Sequence, residues 1–142
     1  LTEAEKKHCE KELRIAMFRS IKAGSLPRVK FYLMSGVSVK NPPGDGYTAL
    51  KIAIRENRLD IVKVLVEAGA DINYRNKLGN CILFDAVCEP EILKYFIDKG
   101  ADISVRNCAG TCAFTIARMT GCTESQMLLM SYARQQGYFS GV

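Results

Sequence analysis

The sequence repeats itself at a fixed interval, and that feature constrains the fold more than any other. Gly46, Gly79 and Gly110 stand 33 and 31 residues apart, and Leu50, Leu83 and Phe114 keep the same register, as do Ala53, Ala86 and Ala117. A second glycine set, Gly36, Gly69 and Gly100, heads the stretches Gly-Val-Ser-Val, Gly-Ala-Asp-Ile and Gly-Ala-Asp-Ile at the same spacings. A period near 33 residues means one supersecondary unit copied along the chain, each copy too small to bury its own apolar face. Neighbouring copies must therefore pack on one another.

The unit reads as two short helices and a turn. In the best copy, residues 45–76, apolar positions 50, 53 and 54 form one helical face and 61, 62, 65 and 66 a second. Gly69 fits the position just past the second helix, and Asn-Tyr-Arg-Asn-Lys-Leu-Gly-Asn (73–80) is a turn-rich connection. The same copy carries Thr48-Ala49-Leu50-Lys51-Ile52-Ala53, then Ile61-Val62 with Leu65-Val66, then Gly69-Ala70-Asp71-Ile72-Asn73. On these residues it resembles the ankyrin repeat, a unit of about 33 residues marked by Thr-Pro-Leu-His-x-Ala. The resemblance covers residues 12–136 as four units. It implies an all-α fold, an ankyrin-repeat solenoid of stacked helix-turn-helix units with β-turn-like connecting loops.

The four units make one domain over residues 1–142. Residues 1–43 are an N-terminal capping repeat with an extended first helix, opened by Thr2 and Glu5 as a capping box. Residues 44–75 are the second repeat, 76–106 a shortened third and 107–142 a C-terminal capping repeat and tail. The third lacks two residues between its helices, where Pro90 restarts the chain at a first-turn position. Cys81 and Cys112 occupy the slots of the family's Thr, and no slot of the motif holds His.

Composition narrows the function. With 48% apolar and 25% charged residues the chain is an ordinary globular sequence. No apolar run approaches the roughly 18 residues of a membrane span, and the first residues lack the apolar segment of a secretory signal. The six cysteines read as reduced thiols, which places the protein in the cytoplasm or nucleus. His8 is the only histidine, so no Cys-His or Ser-His-Asp set exists and an enzyme is not expected. Cys108, Cys112 and Cys122 lack a paired spacing and a fourth ligand, so neither metal nor cofactor is expected. Cys81 and Cys112 sit at equivalent points of adjacent units, about 10 Å apart, beyond the reach of a disulfide. Asp85 falls at an apolar helix position and is read as exposed or bonded to a neighbouring turn.

Net charge is +5, and residues 1–40 hold 9 Lys and Arg against 4 acidic residues while the remainder balances at 11 and 11. A basic first helix is one route to nucleic acid or an anionic surface. The interleaved Glu3, Glu5, Glu10 and Glu12 instead suggest a solvated helix with internal ion pairs, which argues against nucleic acid.

The family resemblance implies a protein-protein interaction module, a scaffold or adaptor whose concave face of turn tips and first helices meets a protein partner. Matched position by position, the tips supply Asp45 and Tyr47, then Arg75, Lys77, Leu78 and Asn80, then Arg106, Cys108 and Thr111. The first helices add Arg55, Glu56, Cys88, Glu89 and Met119. Leu78, apolar at an otherwise polar tip, stands out as a contact residue. The alternatives are an intramolecular regulatory or structural segment of a larger protein, packed on a partner domain, and binding of nucleic acid or an anionic surface through the first helix. The final Ser140-Gly141-Val142 also resembles the endings that PDZ domains read.

Overall fold

The structure, a computed structural model, describes residues 2–40 and 43–137. Among these there are eight helices and no strand, the all-helical architecture that the repeat implies. The C-terminal Ser140-Gly141-Val142 lies outside the described residues. The helices fall into two units, Leu1–Asp71 and Ile72–Val142.

The first unit holds α1 (Glu3–Lys22), α2 (Leu26–Met34), α3 (Pro43–Arg55) and α4 (Leu59–Glu67). The Thr2 hydroxyl accepts the Glu5 N–H at 3.2 Å, and acidic residues open α1 while Arg19 and Lys22 close it, complementing the helix dipole. Residues 2–13 are exposed; Lys6 pairs with Glu3 at 3.7 Å, and the His8 imidazole lies 4.0 Å from the Glu12 carboxylate. Its C-terminal half buries Met17 and Ile21, one turn apart. The pairs α1–α2 and α3–α4 then lie against each other through α1 on α3 and α2 on α4. Between them Val29, Leu50, Ala53, Ile61, Val62 and Leu65 are fully buried.

The second unit repeats the plan with α5 (Ile82–Ala86), α6 (Pro90–Asp98), α7 (Ala113–Thr120) and α8 (Thr123–Gln135). Its core is Ile82, Leu83, Ile92, Leu93 and Phe96, closed by Ala113, Ala117 and Leu129. Small residues on α7 let it approach α5, and α8 lies on α6. The Ser125 hydroxyl, fully buried, donates to the Val87 carbonyl just past α5.

The second glycine set ends α2, α4 and α6 in one way. Gly36, Gly69 and Gly100 have φ of 100°, 106° and 91°, and the following N–H groups reach back to Tyr32, Leu65 and Phe96 at 3.1, 3.2 and 3.0 Å. That is the six-to-one bond of a glycine-terminated helix. The turns inside the helix pairs differ. Gly24, Asn57 and Gly121 are left-handed between α1 and α2, α3 and α4, and α7 and α8, whereas no residue between α5 and α6 has positive φ. The two residues missing from the third repeat therefore remove the left-handed turn and leave α5 only 5 residues long.

Arg58 fastens the first unit across its turns. Its Nη1 donates to the Gly24 carbonyl at 2.6 Å, and Nε and Nη2 grip the Asp60 carboxylate at 3.1 and 2.8 Å. That grip holds the Asp60 carboxyl below its ordinary range; in the second unit hydrogen bonds from the Ser104 hydroxyl and N–H do the same for Asp102. A carboxyl lowered on folding stabilises the native state above its unfolded pKa, near 3.8, and the contribution is lost as pH falls through the lowered value. The melting temperature is therefore expected to fall below about pH 4, and Asp60→Asn with Asp102→Asn is expected to flatten that acid limb. An unchanged limb in a pH series of circular dichroism melts would exclude these two groups as its source.

Candidate interaction surface at the turn tips

The tips of the second unit are built by two asparagines. Asn76 and Asn107 stand three residues before Gly79 and Gly110. Asn76 Oδ1 accepts the N–H groups of Leu78 and Asn80 at 2.9 and 3.0 Å; Asn107 Oδ1 accepts those of Ala109 and Thr111 at 2.9 and 3.0 Å. Each turn closes with matching backbone bonds, Asn76 to Asn80 and Asn107 to Thr111, both 3.0 Å. An Asx side chain thus supplies what a sheet or helix would otherwise have to provide.

The two tips are then pinned to each other. The Cys108 N–H donates to the Leu78 carbonyl at 2.9 Å, and Asn107 Nδ2 donates to Asn80 Oδ1 at 3.0 Å. Arg75 donates to the carbonyls of Gly79 and Arg106, and Arg106 Nη1 to the Gly110 carbonyl at 2.9 Å. Of the tip residues proposed from sequence, Arg75, Asn80, Arg106 and Thr111 are thereby engaged in holding the turns. Lys77, Leu78 and Cys108 are exposed, and Leu78 presents 65% of its surface on a backbone tied at both its N–H and its carbonyl.

The register position of Asn76 and Asn107 is Pro43 in the first unit. Proline has no side-chain acceptor but suits a helix start, and α3 begins there. Two residues read as tips are consequently helical. Asp45 lies in the first turn of α3, half-buried and paired with Arg14 Nε of α1 at 2.9 Å. The contact is an ion pair whose angle falls short of a hydrogen bond. Tyr47 is a core residue, 7% exposed, with the Lys51 ammonium 5.5 Å from its ring centre. The turn expected around both is absent because the asparagine that makes it is absent.

Arg55 and Glu56 are exposed at the end of α3. In the second unit the first helix ends at Ala86, so Cys88 (exposed) and Glu89 (half-buried, at the start of α6) lie beyond the helix expected to carry them, while Met119 is 76% exposed near the end of α7. Asp85 is exposed and has an interaction partner. Cys81 is buried, which pushes its thiol pKa up; for Cys112, at the start of α7, burial is outweighed by the Thr115 hydroxyl and nearby N–H groups and the net shift is downward. Among the described residues no three His, Cys, Asp or Glu side chains gather as a metal ion would require, and no helix is long and apolar enough to cross a membrane.

Two exposed apolar residues escaped the pattern. Phe31 and Met34, one turn apart on α2, are 62% and 88% exposed. The sign was present: Leu26, Val29, Phe31, Tyr32, Leu33 and Met34 are more apolar residues than one face of a nine-residue helix can bury.

Comparison with known proteins places these elements. A family model described as ankyrin repeats (3 copies) matches residues 17–107. The chain is similar to the ankyrin repeat-containing protein P1E11.10 of Schizosaccharomyces pombe, 41% identical over 58 residues, which are 41% of this chain and 27% of that protein. It is also similar to the mouse ankyrin repeat and SOCS box protein 14, 30% identical over 69 residues, 49% of this chain and 11% of that one. The matches thus span well under a third of either relative.

Proposed function

The chain belongs to the ankyrin repeat family, and from that premise we propose that it is a non-enzymatic scaffold or adaptor module that binds a protein partner through the turn tips of its second unit. Ankyrin repeats are generally protein-protein interaction modules. The observation that supports the tips is Leu78, an apolar side chain exposed on a turn whose backbone is already ordered by Asn76 and Cys108. A preordered apolar anchor loses little conformational entropy on binding, which is what a hot spot requires. Lys77, exposed next to Leu78, adds a charge to this surface, and Met119, exposed near the far end of α7, is a separate candidate contact with an adaptable side chain. A cytoplasmic or nuclear setting belongs to the same proposal.

A second reading has its own observation. Phe31 and Met34 on α2 suit packing against another domain of a larger protein, which is the intramolecular alternative. One experiment separates the two: affinity capture from lysate at moderate salt with the wild type, Leu78→Glu and Phe31→Glu, each first checked for an unchanged helical melt. Tip binding predicts that Leu78→Glu loses about tenfold or more of the captured partner while Phe31→Glu retains it. Retention by Leu78→Glu with loss by Phe31→Glu would transfer the interaction to α2.

A further inference from the structure

Away from the tips, two cysteines distant in sequence meet in the second unit. Cys88 lies between α5 and α6, Cys122 precedes α8, and their sulfurs are 3.2 Å apart although the residues are 34 positions apart. Cys88 is exposed and Cys122 half-buried. The Thr120 hydroxyl, which donates to the Ile116 carbonyl at 2.8 Å, lies 3.3 Å from Cys122 Sγ. One residue before Cys88, the Val87 carbonyl takes the buried Ser125 hydroxyl, so the two segments are already held side by side. From 3.2 Å a disulfide bond requires the sulfurs to close by about 1 Å.

We propose that Cys88 and Cys122 form a thiol-disulfide modification site that reacts with low-molecular-weight disulfides such as oxidised glutathione and covalently ties the start of α8 to the end of α5. The exposed Cys88 reacts first. Its sulfur, having given its proton to solvent, attacks one sulfur of the oxidant; the oxidant's S–S bond breaks, and the departing thiolate takes up a proton. The Cys122 sulfur, deprotonated in turn, attacks the Cys88 sulfur of this mixed disulfide, forming the Cys88–Cys122 bond and expelling the second glutathione as a thiol. Two electrons and two protons pass from the cysteine pair to one disulfide, which leaves as two thiols. The new bond closes a loop containing α6 and α7, and closing a loop of that length in the unfolded chain raises stability.

The test equilibrates the 142-residue chain in glutathione buffers of increasing oxidised fraction, alkylates the remaining thiols and maps the peptides by mass spectrometry. Cys88 linked to Cys122 is expected as the first intramolecular disulfide, while the exposed Cys9 and Cys108 stay available to the alkylating reagent. Cys122→Ser is expected to trap Cys88 as a lasting glutathione mixed disulfide, because the resolving sulfur is gone. The oxidised wild type is expected to melt at a higher temperature than the reduced form and to return on addition of reductant. A glutathione adduct that persists on Cys88 of the wild type would overturn the proposal, as would disulfides spread over other cysteine pairs. An oxidised form that melts no higher would overturn the tie between α5 and α8.

Discussion

Phe96→Ala is expected to lower the unfolding free energy by about 4 kcal/mol, the middle of the range for emptying a large aromatic site. Phe96 is fully buried on α6, a helix that packs on both α5 and α8. The following turn hangs on the same residue, because its carbonyl takes the N–H of Lys99 at 3.2 Å and of Ala101 at 3.0 Å. Those backbone bonds survive the substitution, and the loss is one of packing alone. Phe31→Ala is the matched comparison: the same atoms removed from a side chain 62% exposed, with an expected cost under about 1 kcal/mol. Urea denaturation followed by circular dichroism measures both. Equal losses would mean that burial does not separate these two phenylalanines as described.

Gly46→Ala is expected to destabilise by about 2 kcal/mol or more, although glycine to alanine within a helix ordinarily gains up to about 1 kcal/mol. The sign reverses because a Cβ at Gly46 would overlap the Val39 carbonyl oxygen and come within 3.3 Å of the Ala70 Cβ. Backbone oxygen cannot swing aside as a flexible side chain would, so α3 must shift as a whole. Gly110 holds the equivalent register position under a different constraint: its φ is 78°, and a Cβ there would meet nothing within 4 Å. Gly110→Ala is therefore expected to cost about 1 kcal/mol, from backbone strain alone. A stabilised Gly46→Ala in the same denaturation assay would refute the close approach of α3 to Val39.

The three register glycines show how far a repeat can be read. Their spacing identified the repeating unit correctly, yet it says nothing about why each is glycine: Gly79 and Gly110 serve left-handed turns, and Gly46 serves a close approach inside a helix. The same limit explains Tyr47. Position in the repeat assigned it to a tip, but the turn depends on an Asx side chain three residues before the glycine, and the first unit has Pro43 there. The asparagines could have been noticed as Asn-x-x-Gly in both later copies. Leu78 was legible as a contact candidate because an apolar residue among polar ones is visible without coordinates; that its backbone is held by Asn76 and Cys108 was not.

By itself, the sequence determined the repeat length, the helix pairs, the glycines that end α2, α4 and α6, and the family. These follow from local periodicity and backbone preference, which act over a few residues. Only the tertiary structure decided that Asp45 pairs with Arg14, that Phe31 and Met34 face solvent, and that Cys88 meets Cys122. The cysteine pair is the clearest case. Register counting sets Cys88 opposite Met119, but the third repeat has lost its left-handed turn while the fourth keeps Gly121, so the partner falls three residues later at Cys122. Packing distances add up along the path of the backbone, and two residues missing from one turn change which side chains meet even where the period is plain.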